Sequence, residues 1–256
     1  MCELLGMSAN TPTDIVFSFS GLMQRGGNTG PHRDGWGIAF YEGKGLREFR
    51  DPNPSYRSEI AELVCRYPIK SNIVVGHIRQ ANAGRIALEN THPFTRELWG
   101  KYWTFAHNGQ LKGVKKLPLL HYFPVGTTDS EHAFCWIMDQ LRIRFPKPPQ
   151  RPATVKRFIQ SLCDQMRDLG VFNMLLTDSR YLFCYCSTKL TWITRRAPFD
   201  HASLKDADIT VDFAKETTEQ DVVTVIATEP LTIDETWNPL KPGDLVVFDQ
   251  GEVCQR

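Results

Sequence analysis

A thiol stands at the second position of the chain, in Met1-Cys2-Glu3. If Met1 is removed, Cys2 carries both a sulfur nucleophile and a free α-amino group. That amine titrates near ~7.7–8.0 and a thiol near ~8.5, so at neutral pH the amine is partly unprotonated and can accept the thiol proton. A base works best when it titrates near the working pH. Threonine nucleophiles activated by an N-terminal amine use the same device. Cysteine is small, so an initiator methionine ahead of it is expected to be cleaved; if it is retained, the Cys2 nitrogen is an amide and cannot act as a base.

Acyl transfer through such a thiol needs donors aimed at the oxyanion of a tetrahedral intermediate. His107-Asn108-Gly109 offers them: an amide donor on Asn108, and an N–H at Gly109 that the missing side chain leaves approachable. Asn-Gly following a strand also reads simply as a turn. A free amino-acid substrate would add a carboxylate and an ammonium to be held. Arg79 has the planar fork for the first, and Asp129, at a helix start, the charge for the second. Each has a structural alternative, a strand-end ion pair for Arg79 and a favourable helix-dipole position for Asp129.

The elements that must position these residues follow from periodicity. Strands are predicted over 2–9, 37–41 and 46–49, the last two as a hairpin about Gly43-Lys44-Gly45. Helices are predicted from Thr13 or Asp14 to Met23 and over 58–67, stopped by Pro68. Residues 72–80 form a β-rich run with Val75, His77 and Arg79 on one face, and 102–106 a strand that ends in His107-Asn108-Gly109. The clearest helix spans 128–145, opened by a Thr128/Glu131 capping box, and another covers 154–169, closed by Gly170. The proline-rich 146–152 stretch between them is a connector. Strands then follow at 171–177, 181–187, 190–195, 208–213, 222–228 and 245–249. Without steady β-α alternation, this predicts an α+β protein of mainly antiparallel sheets covered by helices.

Composition narrows the function. Thirty basic against twenty-nine acidic residues leave +1, no electrostatic footprint for nucleic acid or anionic membrane. No apolar run reaches the ~18 residues of a membrane helix, and no leader precedes Cys2, so a cytoplasmic protein is expected. Seven cysteines without framework spacing fit a reducing compartment. Arg25-Gly26-Gly27-Asn28-Thr29-Gly30 lacks the Gly-Lys-Ser/Thr ending of a phosphate loop and reads instead as a mobile loop near the site. His77, His92 and His107 have no recognised metal-ligand spacing.

Cys2, Gly76-His77-Ile78-Arg79, His107-Asn108-Gly109 and Gly126-Thr127-Thr128-Asp129, with Asp34-Gly35-Trp36-Gly37-Ile38 and Thr91-His92-Pro93-Phe94, together resemble the glutamine-hydrolysing domain of class-II glutamine amidotransferases, members of the N-terminal-nucleophile hydrolases. The resemblance extends over essentially the whole chain, 1–256 as one domain, and is closest to the short, stand-alone members. It implies a four-layer αββα sandwich. It further implies Cys2 as nucleophile with its amine as base, Asn108 and Gly109 as the oxyanion hole, Arg79 on the α-carboxylate and Asp129 on the α-ammonium. His77, Gln80, Ala81 and His107, inside the same motifs, become candidate substrate contacts. Gln80-Ala81-Asn82 departs from larger relatives, which have an aromatic residue and Ser or Thr there. The implied reaction releases glutamate and ammonia through a γ-glutamyl thioester, without metal or organic cofactor. A γ-glutamyl peptide or amide offers the same recognised groups, and a non-catalytic glutamine-binding subunit would keep the same fold. No acceptor domain is visible in the chain, and an ammonia-accepting enzyme in trans and a homodimer are both open expectations.

Overall fold

The computed structural model describes residues 2–81 and 85–254; Met1, and with it the expected cleavage, and Asn82 of the departing triplet lie outside the described residues. Seven strands form one sheet in the order β13-β9-β12-β1-β4-β2-β3, and six form a second in the order β15-β14-β8-β7-β6-β5. In the first sheet these are β1 (Glu3–Thr13), β2 (Trp36–Glu42), β3 (Gly45–Asp51), β4 (Ser71–Ile78), β9 (Thr191–Arg196), β12 (Val222–Ala227) and β13 (Asn238–Pro239). The second contains β5 (Phe94–Leu98), β6 (Lys101–Leu111), β7 (Gly170–Thr177), β8 (Tyr181–Tyr185), β14 (Leu245–Asp249) and β15 (Glu252–Val253). All pairings in both sheets are antiparallel.

Helices α1 (Val16–Arg25) and α2 (Glu59–Arg66) cover the first sheet, and α3 (Asp129–Arg144) and α4 (Pro152–Leu169) cover the second. A third apolar layer lies between the sheets, where Leu4, Val75, Ala106, Leu175, Cys184 and Ile226 pack. The order is therefore helix, sheet, sheet, helix: the αββα sandwich. Central strands are buried on both faces, which is why β1 reads as a continuous apolar run rather than an alternating one. Leu5 and Met7 face the helices while Leu4 faces the other sheet. Gly6 shares that inner face, and a Cβ there would stand 3.2 Å from both Leu175 and Leu182. Its lack of a side chain lets the sheets approach at the nucleophile strand.

Several local expectations shift. The strand through Asn108-Gly109 does not turn there but continues to Leu111, because β7 pairs along its whole length. Strand β5, not expected, completes a hairpin with β6. Helix α3 starts as expected on Thr128, whose hydroxyl accepts the Glu131 N–H at 3.1 Å. Glu131 does not reciprocate as a capping box; it takes the N–H groups of Val125 and Gly126 and pairs with Arg96. The 208–213 strand shortens to β11 (Thr210–Asp212), paired with β10 (His201–Ser203), and a short helix α5 (Phe213–Glu216) follows. The proline-rich connector joins α3 to α4 on the same face.

Candidate active site

Register places the nucleophile. Glu3 lies opposite Ile78 and Leu4 opposite His77, so Cys2, one residue before the paired segment, meets the chain just past the end of β4. There its Sγ accepts the Gln80 N–H at 3.3 Å and lies 3.5 Å from the Gln80 carbonyl. Burial pushes the thiol above its usual pKa, while the Gln80 N–H and the nearby Arg79 charge pull the other way. A thiol held protonated needs a base before it can attack.

On the other side of β4, strand β2 begins with Trp36 opposite Ile78, which brings the preceding Asp34-Gly35 segment beside Arg79. The Arg79 N–H donates to Gly35 at 2.8 Å, and Asp34 Oδ2 accepts the Ala81 N–H at 2.6 Å. Arg79 is only 4% exposed, yet what its guanidinium meets are the backbone carbonyls of Asp34 and Arg85, at 3.3 and 3.4 Å from Nη1. Among the described residues no carboxylate pairs with it. Asp129 is the converse. Its Oδ2 accepts the Leu111 N–H at 2.8 Å and its Oδ1 the Ser130 N–H at 2.9 Å, with no cation paired among the described residues.

These residues share one cavity of about 350 Å³, lined among others by Cys2, Arg79, Gln80, Ala81, Gly109 and Asp129. His107 also reaches it. Its Nε2 donates to the Val171 carbonyl at 3.0 Å, leaving Nδ1 to accept the Ser130 hydroxyl at 2.8 Å. His77 does not line the cavity. It is wholly buried, donates from Nε2 to the His107 carbonyl at 3.2 Å, and packs at a tilt of 35° against His92 with ring centroids 4.2 Å apart. Desolvation lowers the pKa of all three histidines, that of His77 to about 3, so all are neutral at physiological pH.

Asn108 is fully buried, its amide Nδ2 lying 3.5 Å from the hydroxyl of Thr228. Its Oδ1 is buried without a partner among the described residues. Gly109 follows it in β6 and meets the facing strand closely: a Cβ there would fall 1.8 Å from the Val171 carbonyl, so only glycine fits. Sequence reading passed over Asn173, which clamps this strand. It donates to the Asn108 carbonyl at 3.0 Å and accepts the N–H groups of Ser187, Thr188 and Lys189. The signal was there: one amide side chain inside the apolar run 171–176.

The glycine-rich segment after α1 is not a free loop. Arg25 is buried and binds Glu3 at 3.1 Å, Asp206 at 2.7 Å and the carbonyls of Glu229 and Pro230. Thr29 also donates to Asp206, and Gly26 bridges to Pro31. The expectation of a mobile cover gives way to a segment pinned by buried charge. No helix among the described residues is long and apolar enough to cross a membrane.

Comparison with known proteins matches the family of class-II glutamine amidotransferases over residues 1–256. The Escherichia coli (strain K12) protein YafJ, named as a glutamine amidotransferase, is 64% identical over 252 residues, spanning 98% of this chain and 99% of that one. A shorter match, 32% over 77 residues and 30% of this chain, is to the γ-glutamyl-hercynylcysteine sulfoxide hydrolase of Mycobacterium tuberculosis, of which it covers 31%. Among solved structures, a predicted glutamine amidotransferase from Pseudomonas aeruginosa PA01 superposes over 100% of both chains with a TM-score of 0.80 at 52% identity. A glutamine phosphoribosylpyrophosphate amidotransferase from B. subtilis shares the fold, with a TM-score of 0.53 at 14% identity over 99% of this chain and 48% of that one.

Proposed function

Because the chain belongs to the class-II glutamine amidotransferases, we propose that it hydrolyses the side-chain amide of glutamine through Cys2 after Met1 is removed. The carrying observation is a pair of unmatched charges. Arg79, a buried cation without a carboxylate, and Asp129, a carboxylate without a cation, line one cavity with a thiol. An uncompensated buried charge is costly, and an α-amino acid supplies both missing partners at once. Its carboxylate lies on the Arg79 fork, its ammonium on Asp129, and its side chain runs toward Cys2.

The chemistry follows from that pose. The Cys2 amine takes the thiol proton, and the sulfur attacks the side-chain carbonyl carbon. The Asn108 amide and the Gly109 N–H hold the oxyanion. As the tetrahedral intermediate collapses, the amine returns its proton to the departing ammonia, leaving a γ-glutamyl thioester. Water, deprotonated by the same amine, then releases glutamate and restores the thiol. Ammonia can pass to an accepting enzyme in trans, which co-purification would identify. The expected site of action is the cytoplasm.

A second reading keeps the mechanism and enlarges the leaving group. A cavity of about 350 Å³ has room beyond glutamine, and the mycobacterial relative is named for a γ-glutamyl substrate. Turnover of glutamine against γ-glutamyl dipeptides and amines, by release of ammonia or amine, separates the two. The test of the common mechanism is the N-terminus. Protein shown by mass spectrometry to begin at Cys2 should release ammonia from glutamine and be blocked by a glutamine-like electrophile. Full turnover by protein retaining Met1 would refute the amine as base, and failure of the trimmed protein to form the adduct would favour a binding-only subunit.

A further inference from the structure

We propose that Thr228 is a positioning residue that turns the Asn108 amide so that its N–H groups face the reacting carbonyl; the proposal rests on Asn108 being the oxyanion donor. Thr228 follows β12 directly and is 5% exposed. It grips the strand that carries the nucleophile, its N–H donating to the Leu4 carbonyl at 3.3 Å and its Oγ1 accepting the Leu4 N–H at 2.9 Å. The same Oγ1 lies 3.5 Å from the Asn108 amide, which belongs to the opposite sheet. One hydroxyl thus touches both the nucleophile strand and the oxyanion residue.

Hydrogen-bond bookkeeping sets the direction. With Oγ1 accepting from Leu4 and from Nδ2, the Thr228 hydroxyl hydrogen has no acceptor among the described residues, and Asn108 Oδ1 has no donor. Both vacancies disappear if the amide is rotated by half a turn about its terminal bond. The two ends of a carboxamide have nearly the same shape, so the surrounding network decides which is which. After rotation the Thr228 O–H donates to Oδ1. Nδ2 then occupies the position for which the described residues offer no partner. A donor without a protein acceptor is what an oxyanion hole requires, since its hydrogens must be free for charge that appears only in the transition state. Without the hydroxyl, nothing on this side distinguishes the two amide orientations, and the wrong one presents a carbonyl oxygen to an oxyanion.

The test is a set of trimmed proteins assayed on glutamine: Thr228→Val, Thr228→Ser, Asn108→Ala and the double variant Asn108→Ala/Thr228→Val. Thr228→Val should lower kcat at least about 10-fold, and by no more than the ~10²–10³-fold that losing the oxyanion donor itself costs, with KM nearly unchanged. Thr228→Ser should restore kcat. In the Asn108→Ala background the valine should cost nothing further, because its effect acts through the missing amide. A kcat for Thr228→Val close to that of the parent, or equal losses in both backgrounds, would overturn the proposal. If Thr228→Val does not fold, Thr228→Ala takes its place; failure of both to fold assigns Thr228 to the strand junction alone and also overturns it. Undiminished turnover by Asn108→Ala would instead remove the oxyanion reading beneath it.

Discussion

Two buried polar clusters lie close to Cys2, and they differ in completeness. In the first, one guanidinium, Arg25, bridges the two carboxylates of Glu3 and Asp206 and donates to two carbonyls besides, so every polar group named has a partner. In the second, His77 Nδ1, both ring nitrogens of His92 and Asn108 Oδ1 lack partners among the described residues. A satisfied cluster is finished by folding; one with open valences is finished by something else. The first fastens the start of β1 to the segments at 25–32 and 204–230. The second lies beside the cavity that Arg79 and Asp129 line, which His92 also reaches. Polarity and burial alone do not separate scaffold from site; unspent hydrogen-bonding capacity beside that cavity is the further sign, since, among the described residues, Trp36 and Trp103 also bury an unpartnered N–H away from it.

The contrast breaks most severely at the nucleophile. Cys2→Ala should leave the fold intact and lower turnover on the order of 10⁴-fold or more, measured as ammonia released from glutamine. Next comes the satisfied cluster. Arg25→Met strands two carboxylates and should cost about 3–5 kcal/mol in urea unfolding, whereas Arg25→Met with Glu3→Gln should cost less. Equal costs would mean that the pairing contributes nothing. Asn108→Ala should do the opposite: kcat lower by about 10²–10³-fold with the urea midpoint little changed. A variant that unfolds instead would place Asn108 with the scaffold.

The smallest effect concerns pH. His77 titrates near 3 in the folded protein and near ~6.5 when unfolded, so on acidification the unfolded chain binds its proton first. Stability should therefore fall as pH drops below ~6.5 toward 3. His77 alone should account for about 1 kcal/mol between pH 7 and 5.5, with His92 and His107 adding in the same direction. A urea midpoint flat over that window would show that the histidines are not held neutral by burial. Activity should also decline on the acid side as the Cys2 amine is protonated. A pH profile level well below ~7.7 would count against that base.

Much of the fold was legible from local pattern. The Thr128 cap, the stop at Pro68 and the paired strands around Gly43 all depend on neighbours within a few residues. Where the reading went astray, distant partners decided. Asn108-Gly109 has the composition of a turn, yet β7 holds it extended. Glu131 has the spacing of a capping box, yet Arg96 and the 125–126 backbone claim it. Glycines after α1 suggested mobility, yet an ion pair 181 residues apart in sequence, Arg25 to Asp206, pins the segment.

The sequence by itself determined the chemistry available here: a thiol at position two, a guanidinium at 79, an amide at 108 and a carboxylate at 129, in the order of a known family. Covalent structure sets which atoms can attack, donate or carry charge, so side-chain identity suffices for that. Only the tertiary structure decided which of these groups go unmatched. Whether Arg79 has a counter-ion, or Asn108 Oδ1 a donor, depends on what antiparallel pairing and sheet stacking bring beside them from as far away as Thr228. Those contacts are long-range sums of packing that no short window of sequence contains.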